Sequence, residues 1–161
     1  MLEVATTEDE LREYSLRAVA SWNSSDLNDI YAISFLLETT PGDRTRLALY
    51  VSCNTLSQWR SQIGGTAADD EVKWNFAFWL QNISAIITYS KGSGAIGDDK
   101  QFVLACVAVA KSVQQEALLL SSLGKMVPII IHTFGYSQED IDHTIEANPP
   151  DLIAEFVAYE P

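Results

Sequence analysis

The residues best equipped for chemistry gather in the last third of the chain, where His132 is followed by Thr133, Tyr136, Glu139, Asp140, Asp142 and His143. An imidazole within hydrogen-bond reach of a carboxylate or a phenol can move protons near neutral pH. His132 and Tyr136 therefore form one candidate site for a small ligand or a reaction. The same stretch holds the ingredients of a two-histidine, one-carboxylate metal set. The separation of His132 from His143 matches no helix-borne ligand pair, however, and His132 closes an apolar run in which a ring nitrogen ordinarily satisfies a backbone carbonyl. No metal and no cofactor is expected, and no complete catalytic set is present.

Gly92-Ser93-Gly94-Ala95-Ile96-Gly97 spells the glycine fingerprint of dinucleotide sites, in the right place between an apolar run and a helix. Asp98 and Asp99 open that helix, however, and put carboxylates where a pyrophosphate needs positive potential. No acid ends the next strand, which closes on His132-Thr133. The segment reads as a surface loop, and without a Gly-Lys-Ser/Thr ending it is no P-loop either. Cys53 and Cys106 lie in apolar runs, where free thiols pack as small hydrophobes, and neither has the cationic neighbours that make a reactive thiolate. No Gly-x-Ser-x-Gly elbow occurs.

Charge points to a different kind of function. Twenty-two acids against ten bases give a formal charge of −12, which repels phosphate backbones and anionic lipid surfaces and disfavours nucleic-acid or membrane binding. A basic protein is the partner such a surface suits, although acidity also serves solubility alone. Asp69, Asp70 and Glu71 begin an aromatic segment containing Trp74, Phe76, Phe78 and Trp79. Most of those rings belong in the core. One of them, Trp79, is expected at the surface, where with the three acids it forms a candidate partner-binding face or, more weakly, a homodimer contact.

The elements that must position these groups are read from periodicity and end signals. Thr7 and Glu10 make a capping box for a helix over 8–22, and Thr55 with Gln58 opens a short helix carrying Leu56, Trp59 and Ile63 up to Gly64-Gly65. Runs 30–38 and 47–54 flank Pro41-Gly42, which suits a type II turn, so they form an antiparallel pair. Spacing of Trp74, Ala77, Phe78 and Gln81 predicts a helix, with 83–89 either continuing it or forming a third strand. A long helix over 99–121 is apolar on nearly every face and belongs at the centre of the core. Residues 127–132 form a buried strand, Ser137 caps a helix of Ile141 and Ile145, and Leu152–Tyr159 forms a last amphipathic turn or two beyond Asn148-Pro149-Pro150.

Together these describe one α+β domain over 1–161, a small mostly antiparallel sheet packed against several helices. A chain of this length buries roughly two thirds of its unfolded surface, enough for one core. The N-terminus lacks a basic and apolar leader, and the longest small apolar run, Phe102–Ala110, is too short to span a bilayer, so a cytoplasmic protein is expected.

Trp74-Asn75-Phe76-Ala77-Phe78-Trp79-Leu80-Gln81-Asn82, Val127–His132 and Ala147-Asn148-Pro149 with Glu155-Phe156 behind it resemble a bacterial family of short cytosolic proteins catalogued only as a domain of unknown function. Tyr31-Ala32-Ile33-Ser34 and Tyr50–Thr55 fit its N-terminal half. The chain departs from the pattern after His132, where the family continues with Glu and a pair of tyrosines and here Thr133-Phe134-Gly135-Tyr136 stands. The resemblance implies an immunity or accessory role beside polymorphic toxins. The leading expectation is a non-enzymatic binding protein, an immunity-type inhibitor of a basic toxin being its concrete form, with an enzyme or ligand site around His132 as the alternative.

Overall fold

The structure, a computed structural model, describes residues 2–22, 28–80, 82–89, 99–133 and 136–159. Five strands, β1 (Leu2–Ala5), β2 (Ile30–Thr40), β3 (Asp43–Thr55), β4 (Ala85–Tyr89) and β5 (Ile129–His132), form one sheet in the order β1-β4-β3-β2-β5. The long central ladder, β2 with β3, is antiparallel and turns at Pro41-Gly42, where Gly42 takes the positive φ of +83° that a type II turn demands. β3 pairs antiparallel with β4, whereas the flanking pairs β1 with β4 and β2 with β5 are parallel. The sheet is therefore mixed, with β3 alone running against the other four.

Among the described residues seven helices surround it: α1 (Glu8–Ala20), α2 (Leu56–Gln62), α3 (Asp69–Trp74), α4 (Asp99–Gln115), α5 (Leu119–Leu123), α6 (Gln138–Ala147) and α7 (Pro150–Tyr159). Strand alternation sends Ile33, Phe35, Leu37, Leu49, Val51, Ile87, Ile129 and Ile131 to one face, where they share a core with Leu11 and Val19 of α1 and with Phe102, Cys106, Val109 and Val113 of α4. The other face, with Ala32, Leu36, Ala48, Tyr50 and Ile130, packs against Trp74, Phe76, Trp79 and Phe156. The fold is α+β with a layer of helices on each side.

Several elements differ from their sequence signals. β1 has too few residues for periodicity to reveal it. The helix expected through Trp74 to Gln81 stops at Trp74, because Asn75 leaves helical geometry and its Oδ1 takes the N–H of Ala77 to start a single 3₁₀ turn over Phe76–Phe78. Residues 85–89 form a strand. The long helix ends at Gln115, where Ala117 adopts φ of +51° and the Leu118 and Ala117 amides reach back to the carbonyls of Val113 and Gln114. That is a Schellman closure built on alanine. α2 forms as its cap implies but buries none of its residues: Leu56 and Trp59 are half-buried, and Ile63, just past its end, is exposed. In α6 the buried positions are Asp140, Thr144 and Ala147, while Ile145 is 44% exposed.

The glycine fingerprint at 92–97 and Gln81 lie outside the described residues. Cys53 and Cys106 are buried cysteines that form no disulfide, and burial pushes the pKa of the Cys106 thiol upward. Among the described residues no helix is long and apolar enough to cross a membrane. No group of three or more His, Cys, Asp or Glu among them is placed to hold a metal ion.

Candidate functional site

His132 sits at the end of β5 on the sheet face covered by aromatic rings, and it has no exposed surface. Nδ1 lies 2.8 Å from the Thr133 carbonyl, which can only accept, so this nitrogen carries the proton and donates. Nε2, 2.8 Å from Ser34 Oγ, then accepts from the hydroxyl. Burial lowers the imidazole pKa to about 4, against smaller upward pulls from the Thr133 carbonyl and the Asp140 charge. Phe76 and Tyr136 flank the ring at centroid distances of 4.7 and 5.4 Å. The Tyr136 hydroxyl turns away from it and donates to the Trp74 carbonyl at 2.5 Å, and burial raises its pKa. His132 and Tyr136 are thus neighbours, as their candidacy required, but each polar atom is spent on holding β5 and α3 in place.

The Asp140 carboxylate is engaged in the same way. Asp140 accepts from the Ser137 amide and from the Thr133 hydroxyl, both at 3.0 Å, while the Ser137 hydroxyl accepts the Asp140 amide, a reciprocal capping box for α6. A cleft of about 480 Å3 opens beside this helix start, lined by Leu37, Asp99, Val103, Thr133, Glu139 and His143 among others. His143 borders it with a buried Nδ1 that has no hydrogen-bond partner among the described residues.

The three acids of the second candidate site lie elsewhere. Asp69, Asp70 and Glu71 form the first turn of α3, where carboxylates complement the helix dipole, and Asp69 and Asp70 are exposed. The ring beside them is Trp59, not Trp79. Trp59, half-buried on α2, donates from Nε1 to the Asp69 carbonyl at 2.9 Å and so ties the two helices together. Trp79 is 3% exposed, which removes it from the surface: beyond Asn75 the chain swings it beneath α3, and its Nε1 donates to the Lys73 carbonyl at 2.8 Å. The Tyr31 hydroxyl, itself accepting from Asn54 Nδ2, donates to that same carbonyl.

Lys73 turns this aromatic floor into a mount. Its ammonium lies 5.0 Å from the Trp59 ring, 5.3 Å from Trp74 and 5.5 Å from Tyr31, and it pairs with Glu155 of α7 at 2.6 Å. Tyr159 of α7 also reaches the acids: its pKa is raised first by burial and then by the charges of Glu71 and Asp70. α2, α3 and α7 therefore present one surface on which Trp59 and Tyr159 border the carboxylates of Asp69, Asp70 and Glu71. Such a surface can accept cationic side chains, through charge and through the face of an indole. Trp59 carried one usable signal: α2 is a seven-residue helix whose other positions are mostly polar, too little apolar surface to require burial.

A comparison with known protein families, with curated proteins and with solved structures finds no match for this chain.

Proposed function

We propose that this chain is a non-enzymatic binding protein that recognises a basic partner through the α2–α3–α7 surface. The observation that carries the reading is the pairing of a half-exposed Trp59 with the exposed acids of α3 over a buried aromatic mount. A rigid aromatic anchor inside a field of one sign is the arrangement that gives both affinity and fast, selective encounter. An immunity-type inhibitor that neutralises a basic toxin in the cytoplasm is the concrete form we favour, on the strength of the family resemblance and the charge of −12. The alternative, a reaction centred on His132, draws no support from a ring without exposed surface whose two nitrogens are both engaged.

The test is retention of proteins from a source lysate on the wild type, on Asp69→Lys/Asp70→Lys/Glu71→Lys, and on Trp59→Ala, read by mass spectrometry at two ionic strengths. A basic protein held by the wild type, lost from both variants and released as salt rises supports the reading. With the partner purified, Trp59→Ala should weaken binding by about 2 kcal/mol, roughly thirtyfold in Kd. A partner bound equally by all three proteins would sink it. A neutral set, Asp69→Asn/Asp70→Asn/Glu71→Gln, guards against fraying of the first turn of α3.

A further inference from the structure

The two edges of the sheet are finished differently. Along β5, α6 supplies side chains in place of a sixth strand. Asn148 Oδ1 accepts the Ile129 amide at 2.9 Å and its Nδ2 donates to the Ile129 carbonyl at 2.8 Å, while Thr144 Oγ1 lies 3.0 Å from the Ile131 amide and 3.1 Å from the Ile131 carbonyl. That edge is sealed. β1, at the other end, has no such cover: among the described residues nothing bonds to its outer side.

Its side chains are also left bare. Leu2 is 58% and Val4 51% exposed, and their register with Ile86 and Thr88 places them on the aromatic-covered face of the sheet, beyond the reach of its buried cluster. On the opposite face Glu3 lies 3.6 Å from Arg17 of α1, which also meets Glu13 at 3.4 Å. The edge therefore carries both signs of charge within one strand and one helical turn, on a molecule that is otherwise strongly acidic.

We propose that β1 pairs with β1 of a second copy, antiparallel across a two-fold axis, to join the two sheets into one. Mixed charge selects this occupant. Across such an axis, with Glu3 facing the partner's Glu3, Leu2 of one copy faces the partner's Val4, and Arg17 of one copy meets Glu3 or Glu13 of the other, as a self-complementary interface requires. Four residues of pairing make a small interface, so the dimer dissociates at roughly micromolar concentration or above.

Sedimentation velocity from about 10 μM to about 1 mM, at salt of about 0.05 M and about 0.5 M, tests this. The dimer fraction should rise with concentration and with salt, because screening relieves the repulsion between two copies of charge −12. Leu2→Lys and Val4→Lys, each placing a lysine on the edge strand, should raise the dimer Kd at least about tenfold, with thermal melting unchanged because both side chains already face solvent. Amide exchange at 2–5 should slow as concentration rises. A wild type that stays monomeric at both salts, or a dimer that both lysine variants leave intact, overturns the proposal. Retention of a basic partner is read on a different surface and should not change in either lysine variant, so the two readings fail separately.

Discussion

His132 shows what a histidine does when every polar atom is already satisfied. Its imidazole takes a proton only near pH 4 in the folded chain, against an ordinary value of 6.5, because burial penalises the cation. Between those two values the unfolded chain binds a proton that the folded chain refuses, so this contribution is complete above pH 6.5 and is lost as the pH falls to about 4. The full step is worth about 3 kcal/mol. Urea unfolding from pH 7.5 to pH 4 should show it in the wild type. It should be missing from Ser34→Ala/His132→Phe, which keeps a ring in place and removes the titrating imidazole together with the hydroxyl bonded to it; a step of equal size in both proteins would show that other groups carry it. That His132 would satisfy a backbone carbonyl was legible from its place at the end of an apolar run. Its second partner, Ser34, was not, because the two lie 98 positions apart and meet only through the pairing of β2 with β5.

Elements were legible where their own residues decide them. The Thr55 and Ser137 caps, the Pro41-Gly42 turn and the alternation of β3 all act through neighbours in the chain, and they appear in the structure as their spacing implies. Elements decided by distant contacts were not. α6 turns Ile145 to solvent and buries Thr144, because its inner face must meet the unpaired amides and carbonyls of β5 rather than an apolar wall. The same need explains Asn148, which also accepts from Gln114 Nε2 at 2.7 Å and so serves as a strand-edge device. Asn148→Ala should therefore cost about 2–4 kcal/mol by stranding buried backbone groups, and Thr144→Val about 1–3 kcal/mol, each read as a lower melting temperature. The end of α4 was hidden for the opposite reason: no glycine marks it. Ala117 holds a left-handed conformation that suits glycine better, so Ala117→Gly should stabilise the protein by about 1 kcal/mol, a shift of roughly 2–4 °C in Tm. No gain, or a loss, would mean that the alanine methyl makes contacts worth more than the strain.

At the scale of the whole molecule, charge makes opposite demands on the two surfaces. A basic partner at the α2–α3–α7 face should bind more weakly as salt rises, whereas pairing between two copies of charge −12 should strengthen. One salt series on the wild type with its purified partner separates them, and parallel trends for both associations would contradict the assignment of at least one surface. The short, mostly polar α2 hinted that Trp59 lies at a rim, but its place beside the acids was not legible, because the bond from its Nε1 to the Asp69 carbonyl depends on where α3 packs.

The sealed β5 edge sets a limit on growth. A sheet open at both ends resembles a bifunctional monomer, able to add copies without end, whereas this one is monofunctional: once β1 has met its counterpart, both outer strands of the joined sheet are β5, and Thr144 and Asn148 act as chain terminators. Removing both side chains would restore the second reactive end and turn a closed pair into a fibre-forming unit.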